Sequence, residues 1–132
     1  MKTHILVILL LFFLNSLKAQ EKSKDTLFFN YDDKYINTHV EIPHHFYLDD
    51  SSGGSNGSFF FAEVRVINNL NPKEILSLKK FIRSSKFYDK NKKQKLNDYK
   101  LWEYFNEYVV LLVKNNHRKT KYIHVESGFE IE

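Results

Sequence analysis

Apolar residues recur along this chain mostly in short runs with two-residue alternation, and twice with helical spacing. Leu27-Phe28-Phe29-Asn30-Tyr31 predicts a short strand, and Asp32-Asp33-Lys34 a break. Tyr35 to Ile42 alternates loosely, with Tyr35, Val40 and Ile42 apolar. Pro43 cannot donate to a ladder and predicts an edge position or a bend, after which His44 to Leu48 resumes the strand. Phe59 to Ile67 is the clearest strand. One face, Phe60, Ala62, Val64 and Val66, is wholly apolar and is expected to meet the core; the other carries Phe59, Phe61, Glu63, Arg65 and Ile67 and implies partial cover. Tyr108 to Lys114 reads as a buried strand. Asn115-Asn116-His117-Arg118-Lys119 reads as a turn, and Lys121 to Glu126 as the returning arm of a hairpin. In that arm Ile123 and Val125 should point inward, with Tyr122, His124 and Glu126 outward.

The helical signals lie between these strands. Asn71-Pro72-Lys73-Glu74 has the form of a helix start, with Asn71 as cap, Pro72 at the first helical position and Glu74 able to reach back to the cap. Leu70 and Ile75 can staple across it. Ile75, Leu78, Phe81 and Ile82 then predict the buried stripe of a helix over 72–85. Leu96, Tyr99, Trp102 and Phe105 recur every three residues and predict a shorter helix over 98–106. Helices grouped between sheet segments favour α+β: one antiparallel sheet with one or two helices packed on one face.

The opening of the chain has a different pattern. Lys2 precedes ten uninterrupted apolar residues, Ile5 to Leu14, and a short polar stretch ends at the small residue Ala19. This is the three-part layout of a secretory signal peptide, too short to span a bilayer, which takes roughly 20 apolar residues. The expectation is a leader over 1–20 and one exported domain over 21–132, periplasmic or secreted, a length suited to a single core. No later run is long and apolar enough to predict a membrane span. Cysteine is absent. An exported fold without disulfides must hold by packing, and a thiol nucleophile, a thiolate metal site and a lipid-modified cysteine are excluded.

Charge divides the chain. Without Lys2 and Lys18 the 20 basic residues become 18, against 16 acidic. Residues 73–95 hold nine of the basic ones and only Glu74 and Asp89 as acids, a local +7 against −5 for the rest of the exported part. Lys79, Lys80, Arg83, Lys86, Lys90, Lys92, Lys93 and Lys95 are therefore the candidate binding residues for a polyanion, with Phe87, Tyr88 and Tyr99 near in sequence as stacking surface. Outside the cytoplasm that partner is an acidic glycan, a lipid head group, shed nucleic acid or an acidic protein. The plainer alternative is a solvated face that serves solubility.

Other chemistry finds little support. His44 and His45 are adjacent, so a strand points them to opposite faces, and no histidine pair has metal-ligand spacing. Asp49 to Gly57 resembles a calcium loop in composition, but its twelfth position is Phe60 where a bidentate carboxylate belongs; a flexible connection explains it better. No serine sits in Gly-x-Ser-x-Gly. Glu103 and Glu107 would share a helix face, a surface pair by default, and an aromatic group such as Trp102, Tyr104, Phe105 and Tyr108 is more often core than pocket. No cofactor or metal is expected. The reading is a non-enzymatic exported binding or interaction protein. A periplasmic inhibitor or immunity factor is the alternative, and a small hydrolase the least favoured.

The leader ending Leu17-Lys18-Ala19-Gln20, the cysteine-free Lys/Asn/Phe/Tyr-rich body and the stretches 81–90 and 101–105 resemble small exported proteins of Bacteroidota. The resemblance attaches no activity. It implies that Asp25-Thr26-Leu27 is similar to the Asp-Thr-apolar sites those bacteria glycosylate on exported proteins, with Thr26 as the acceptor.

Overall fold

The computed structural model describes residues 24–51, 57–91 and 95–131. Residues 1–23, which include the expected leader, residues 52–56 of the glycine-rich loop, and Lys92 and Lys93 lie outside them. In chain order the described elements are β1 (Asp25–Asn30), β2 (Ile36–His39), β3 (Ile42–Leu48), β4 (Ser58–Ile67), β5 (Leu76–Ser77), α1 (Leu78–Arg83), β6 (Tyr88–Asp89), β7 (Lys95–Leu96), α2 (Asp98–Phe105), β8 (Tyr108–Asn116) and β9 (Lys119–Glu130). Seven strands form one sheet in the order β2-β3-β4-β9-β8-β1-β5, curled into a half-barrel; β6 and β7 make a separate two-stranded ribbon.

This corrects the expected α+β arrangement. Strand accounts for 55% and helix for 14%, so the two short helices are inserts in a β fold and not a layer covering a sheet. Nor is the sheet antiparallel throughout. β1 runs parallel to β8, from Asp25↔Tyr108 to Asn30↔Val113, and parallel to β5 on its other side. Burial explains the placement. Phe29 of β1 is fully buried inside the curl, while Phe28 packs on the outer face against Leu111, Val113 and Tyr122. A strand covered on both faces suits a parallel position, and parallel partners need a long crossover, here the whole segment from β2 to α2.

The facing of β4 is also the reverse of expectation. Phe59 and Phe61 are completely buried and pack on Phe105 of α2, with ring centroids 5.8 and 5.2 Å away. Phe60 points outward, stacks on His45 at 4.5 Å and lies over Gly128, where a Cβ would collide with its ring. Val64 and Val66 are 47% and 46% exposed. Both faces of the N-terminal half are apolar, so alternation alone does not say which is inner. A bulge between Glu63 and Arg65 then breaks the continuity that alternation assumes.

The helix expected over 72–85 occupies only Leu78–Arg83. Its cap is Ser77, whose hydroxyl oxygen accepts the Lys80 N–H at 3.4 Å. The Asn71 capping signal is overridden because Leu76-Ser77 instead pairs with Phe29-Asn30, and Ile75, assigned to the buried stripe, is 47% exposed. Leu78 and Ile82 do point into the core, and Phe81 meets Phe29 edge-on at 5.1 Å. α2 starts where expected, capped by Asn97. Its buried positions are 98, 101 and 105, however, with Tyr99 about half exposed, since a strict three-residue spacing drifts off a 3.6-residue turn.

The hairpin β8–β9 lies where the sequence puts it, but longer, and β9 runs on to Glu130. Tyr122 does face outward, yet it is buried there because the chain after β4 folds over it; its hydroxyl donates to the Leu70 carbonyl at 2.9 Å.

Candidate functional site

The candidate basic residues separate into different roles. Arg83 leaves α1 towards Asp50, donating from Nε and Nη2 to the two carboxylate oxygens at 3.0 and 3.1 Å, with its guanidinium 5.9 Å from the centre of the Tyr88 ring. Tyr35 donates its hydroxyl to the same carboxylate at 2.9 Å. Partial burial pushes the Asp50 carboxyl up, but the hydrogen bonds from Arg83 and Tyr35 and the charges of Arg83 and Lys79 outweigh it and hold it below the usual range. Burial, then the bond to Asp50, raises the Tyr35 hydroxyl far out of its normal range. Arg83 is thus a tether for the start of the glycine-rich loop.

Lys79 and Lys80 are exposed on α1. Lys86 is exposed after it, with its ammonium 5.6 Å from the centre of the Phe87 ring. Lys90 is exposed at the start of the β6–β7 connection, and the backbone of Lys95 is in register with Asp89 in that ribbon. Lys92 and Lys93 lie outside the described residues. The structure therefore strings the described lysines along α1, its exit and one ribbon, and removes Arg83 from the set.

Sequence reasoning missed the second tether. Asp98, only 4% exposed, accepts the Phe59 N–H at 2.9 Å and the Ser51 hydroxyl. The loop is so held at both ends, by Asp50 and by Asp98. An acid in the first turn of a helix is expected for its effect on the helix dipole alone, so nothing local marks it as a buried anchor.

The remaining candidates are dispersed. His44 lies 3.1 Å from Glu63, His39 packs on Tyr47 at 4.8 Å, and His45 stacks on Phe60. Among the described residues no group of three or more His, Asp or Glu is placed to hold a metal ion. Glu103 and Glu107 are both exposed. Trp102 stacks on Phe129 at 5.9 Å, with Tyr99 5.5 Å from both. Tyr104 and Tyr108 pack at 5.0 Å; their hydrogen bond, then burial, pushes the Tyr104 hydroxyl up to about 12.

Two clefts open at the β1 side and the hairpin end of the sheet. One, of about 470 Å³, lies between Asn68–Leu70 and Arg118–Thr120, floored by Tyr122. The other, of similar size, lies between β1 and the chain 70–76 and includes the exposed Thr26. Arg118 and Lys119 were not singled out from the sequence, although a signal exists: 114–121 carries four cations and no acid. The −5 summed over everything outside 73–95 concealed it. Among the described residues no helix is long and apolar enough to cross a membrane. No protein-family model, curated protein or solved structure matches this chain.

Proposed function

We propose that this is a non-enzymatic, exported binding protein. Its lysines on α1 and the following ribbon engage the anionic groups of an acidic glycan, a lipid head group or an acidic protein. One observation carries the reading: Lys79, Lys80, Lys86 and Lys90 are exposed, and neither the Arg83–Asp50 ion pair nor the His44–Glu63 contact uses any of them. Exposed charge is available to a partner, and its pull on a polyanion weakens as salt rises. Lys92, Lys93 and Lys95 join the surface by their place in the sequence. Export rests on the leader-like layout of residues 1–20.

The test is binding of the mature protein to anionic vesicles, neutral vesicles and an acidic polysaccharide at low and physiological salt. Binding that needs anionic groups, falls with salt and is lost when Lys79, Lys80, Lys86 and Lys90 are all changed to Gln supports the reading. Absence of binding at low salt, or binding indifferent to those changes, overturns it.

A further inference from the structure

The end of the β8–β9 hairpin is a second basic surface, remote in sequence from the first. Lys114 and Lys121 are direct cross-strand partners, and Arg118 and Lys119 follow at the turn. Like charges placed opposite each other oppose pairing, and residues 108–125 include no acid to balance them. Arg118 and Lys119 line the cleft whose other wall is Asn68 and Asn69. The neighbouring polar groups are already engaged: Thr120 donates its hydroxyl to the Asn115 side-chain oxygen at 2.8 Å, and Tyr122 donates to Leu70. The side chains of Arg118, Lys119, Asn68 and Asn69 make no ion pair or hydrogen bond with other described residues, so the cleft presents a guanidinium, an ammonium and two amides, with no carboxylate in its lining.

Backbone geometry marks the same place. Among the described residues only two besides glycine have left-handed φ, Asn69 at 62° and His117 at 49°, and they border the two walls of this cleft. Asn tolerates that conformation. His117 opens a two-residue hairpin loop, a position that glycine fills without cost. Strained backbone of this kind collects at ligand sites, where it aims neighbouring groups.

We propose that the cleft between Asn68–Leu70 and Arg118–Thr120 binds a tetrahedral oxyanion, a phosphate or sulfate group carried on a small molecule. The planar fork of Arg118 matches two oxygens of such a group, Lys119 supplies a second charge, and the Asn amides are neutral donors for the rest. A volume of about 470 Å³ exceeds a bare ion and leaves room for the group that bears it. None of the lysines of α1 lines this cleft.

The test is titration of the mature protein with sodium phosphate, sodium sulfate and, at matched ionic strength, sodium chloride, read by the amide NMR shifts of residues 68–70 and 117–120. A monosaccharide phosphate and the matching monosaccharide sulfate then distinguish the two sources of the group. Saturable shifts confined to these residues, seen with phosphate or sulfate and not with chloride, support the proposal. The double variant R118Q/K119Q should weaken binding by about tenfold or more, with an unchanged melting temperature because both side chains are exposed. K79Q/K80Q should leave these shifts untouched, which separates this site from the α1 surface. A response equal to that of chloride, no localised saturation, or binding indifferent to R118Q/K119Q overturns it.

Discussion

Replacing Asp98 by Ala removes the acceptor that holds the exit of the glycine-rich loop. The Phe59 N–H, 2.9 Å from the carboxylate and attached to a completely buried residue, is left without its partner. An orphaned buried donor costs about 1–3 kcal/mol, and the lost hydroxyl bond from Ser51 about 1 kcal/mol more. Loss of an acid from the first turn of α2 adds about 0.5 kcal/mol. The expected destabilisation is about 2.5–4.5 kcal/mol, a large share of what holds a domain of this size. Urea denaturation followed by tryptophan fluorescence measures it, since Trp102 sits one turn along the same helix. With a slope of about 1–2 kcal/mol per molar urea, the midpoint should fall by about 2 M. Ser51→Ala, which removes one hydroxyl and strands no backbone group, should cost about 1 kcal/mol. The reasoning fails if Asp98→Ala moves the midpoint by less than about 0.3 M, or if Ser51→Ala costs as much as Asp98→Ala, because the stranded Phe59 N–H would then contribute nothing.

Three further outcomes follow from the geometry. Asp50 has its folded pKa below the ordinary 3.8, so its contribution is complete above that value and disappears as pH falls through the depressed folded value; the melting-temperature gap between the native protein and Asp50→Asn should be level near neutral pH and close in strong acid, and a gap that widens on acidification would refute the assignment. His117→Gly should raise stability by about 0.5–1 kcal/mol in thermal unfolding, because a left-handed non-glycine residue costs about 1–2 kcal/mol, partly offset by the greater freedom of glycine when unfolded. Gly128→Ala should lower the melting temperature because the new Cβ meets the Phe60 ring, and Phe60→Ala in the same chain should recover part of the loss; no recovery would show that the collision is not the cause.

Much of the strand map was legible because it depends on neighbours in sequence. The β-branched, apolar run of β8, the turn at Asn116–Lys119 and the alternation of Ile123 and Val125 lie in one hairpin, so local chemistry marks all three. The start of α2 was legible for the same reason: Asn97 caps its own helix. The Asn71 capping signal was equally local and misled, since the edge of β1, more than 40 residues upstream, takes up Leu76-Ser77 and pulls the segment straight.

The candidate site shows the same division. That 73–95 is rich in cations is a property of composition. That Arg83 is withdrawn from it depends on Asp50 and Tyr35, which the fold brings to α1 from distant parts of the chain. Likewise Arg118 and Lys119 gain a cleft only because Asn68–Leu70 folds over Tyr122. By itself the sequence determined where most of the longer strands lie, that no disulfide holds them, and that positive charge accumulates over 73–95. Only the tertiary structure decided that β1 runs parallel to β8, that Phe59 and Phe61 rather than Phe60 form the core, and which cations remain unpaired. Alternation and charge are written residue by residue, whereas strand direction, facing and pairing are settled by burial between segments far apart in the chain.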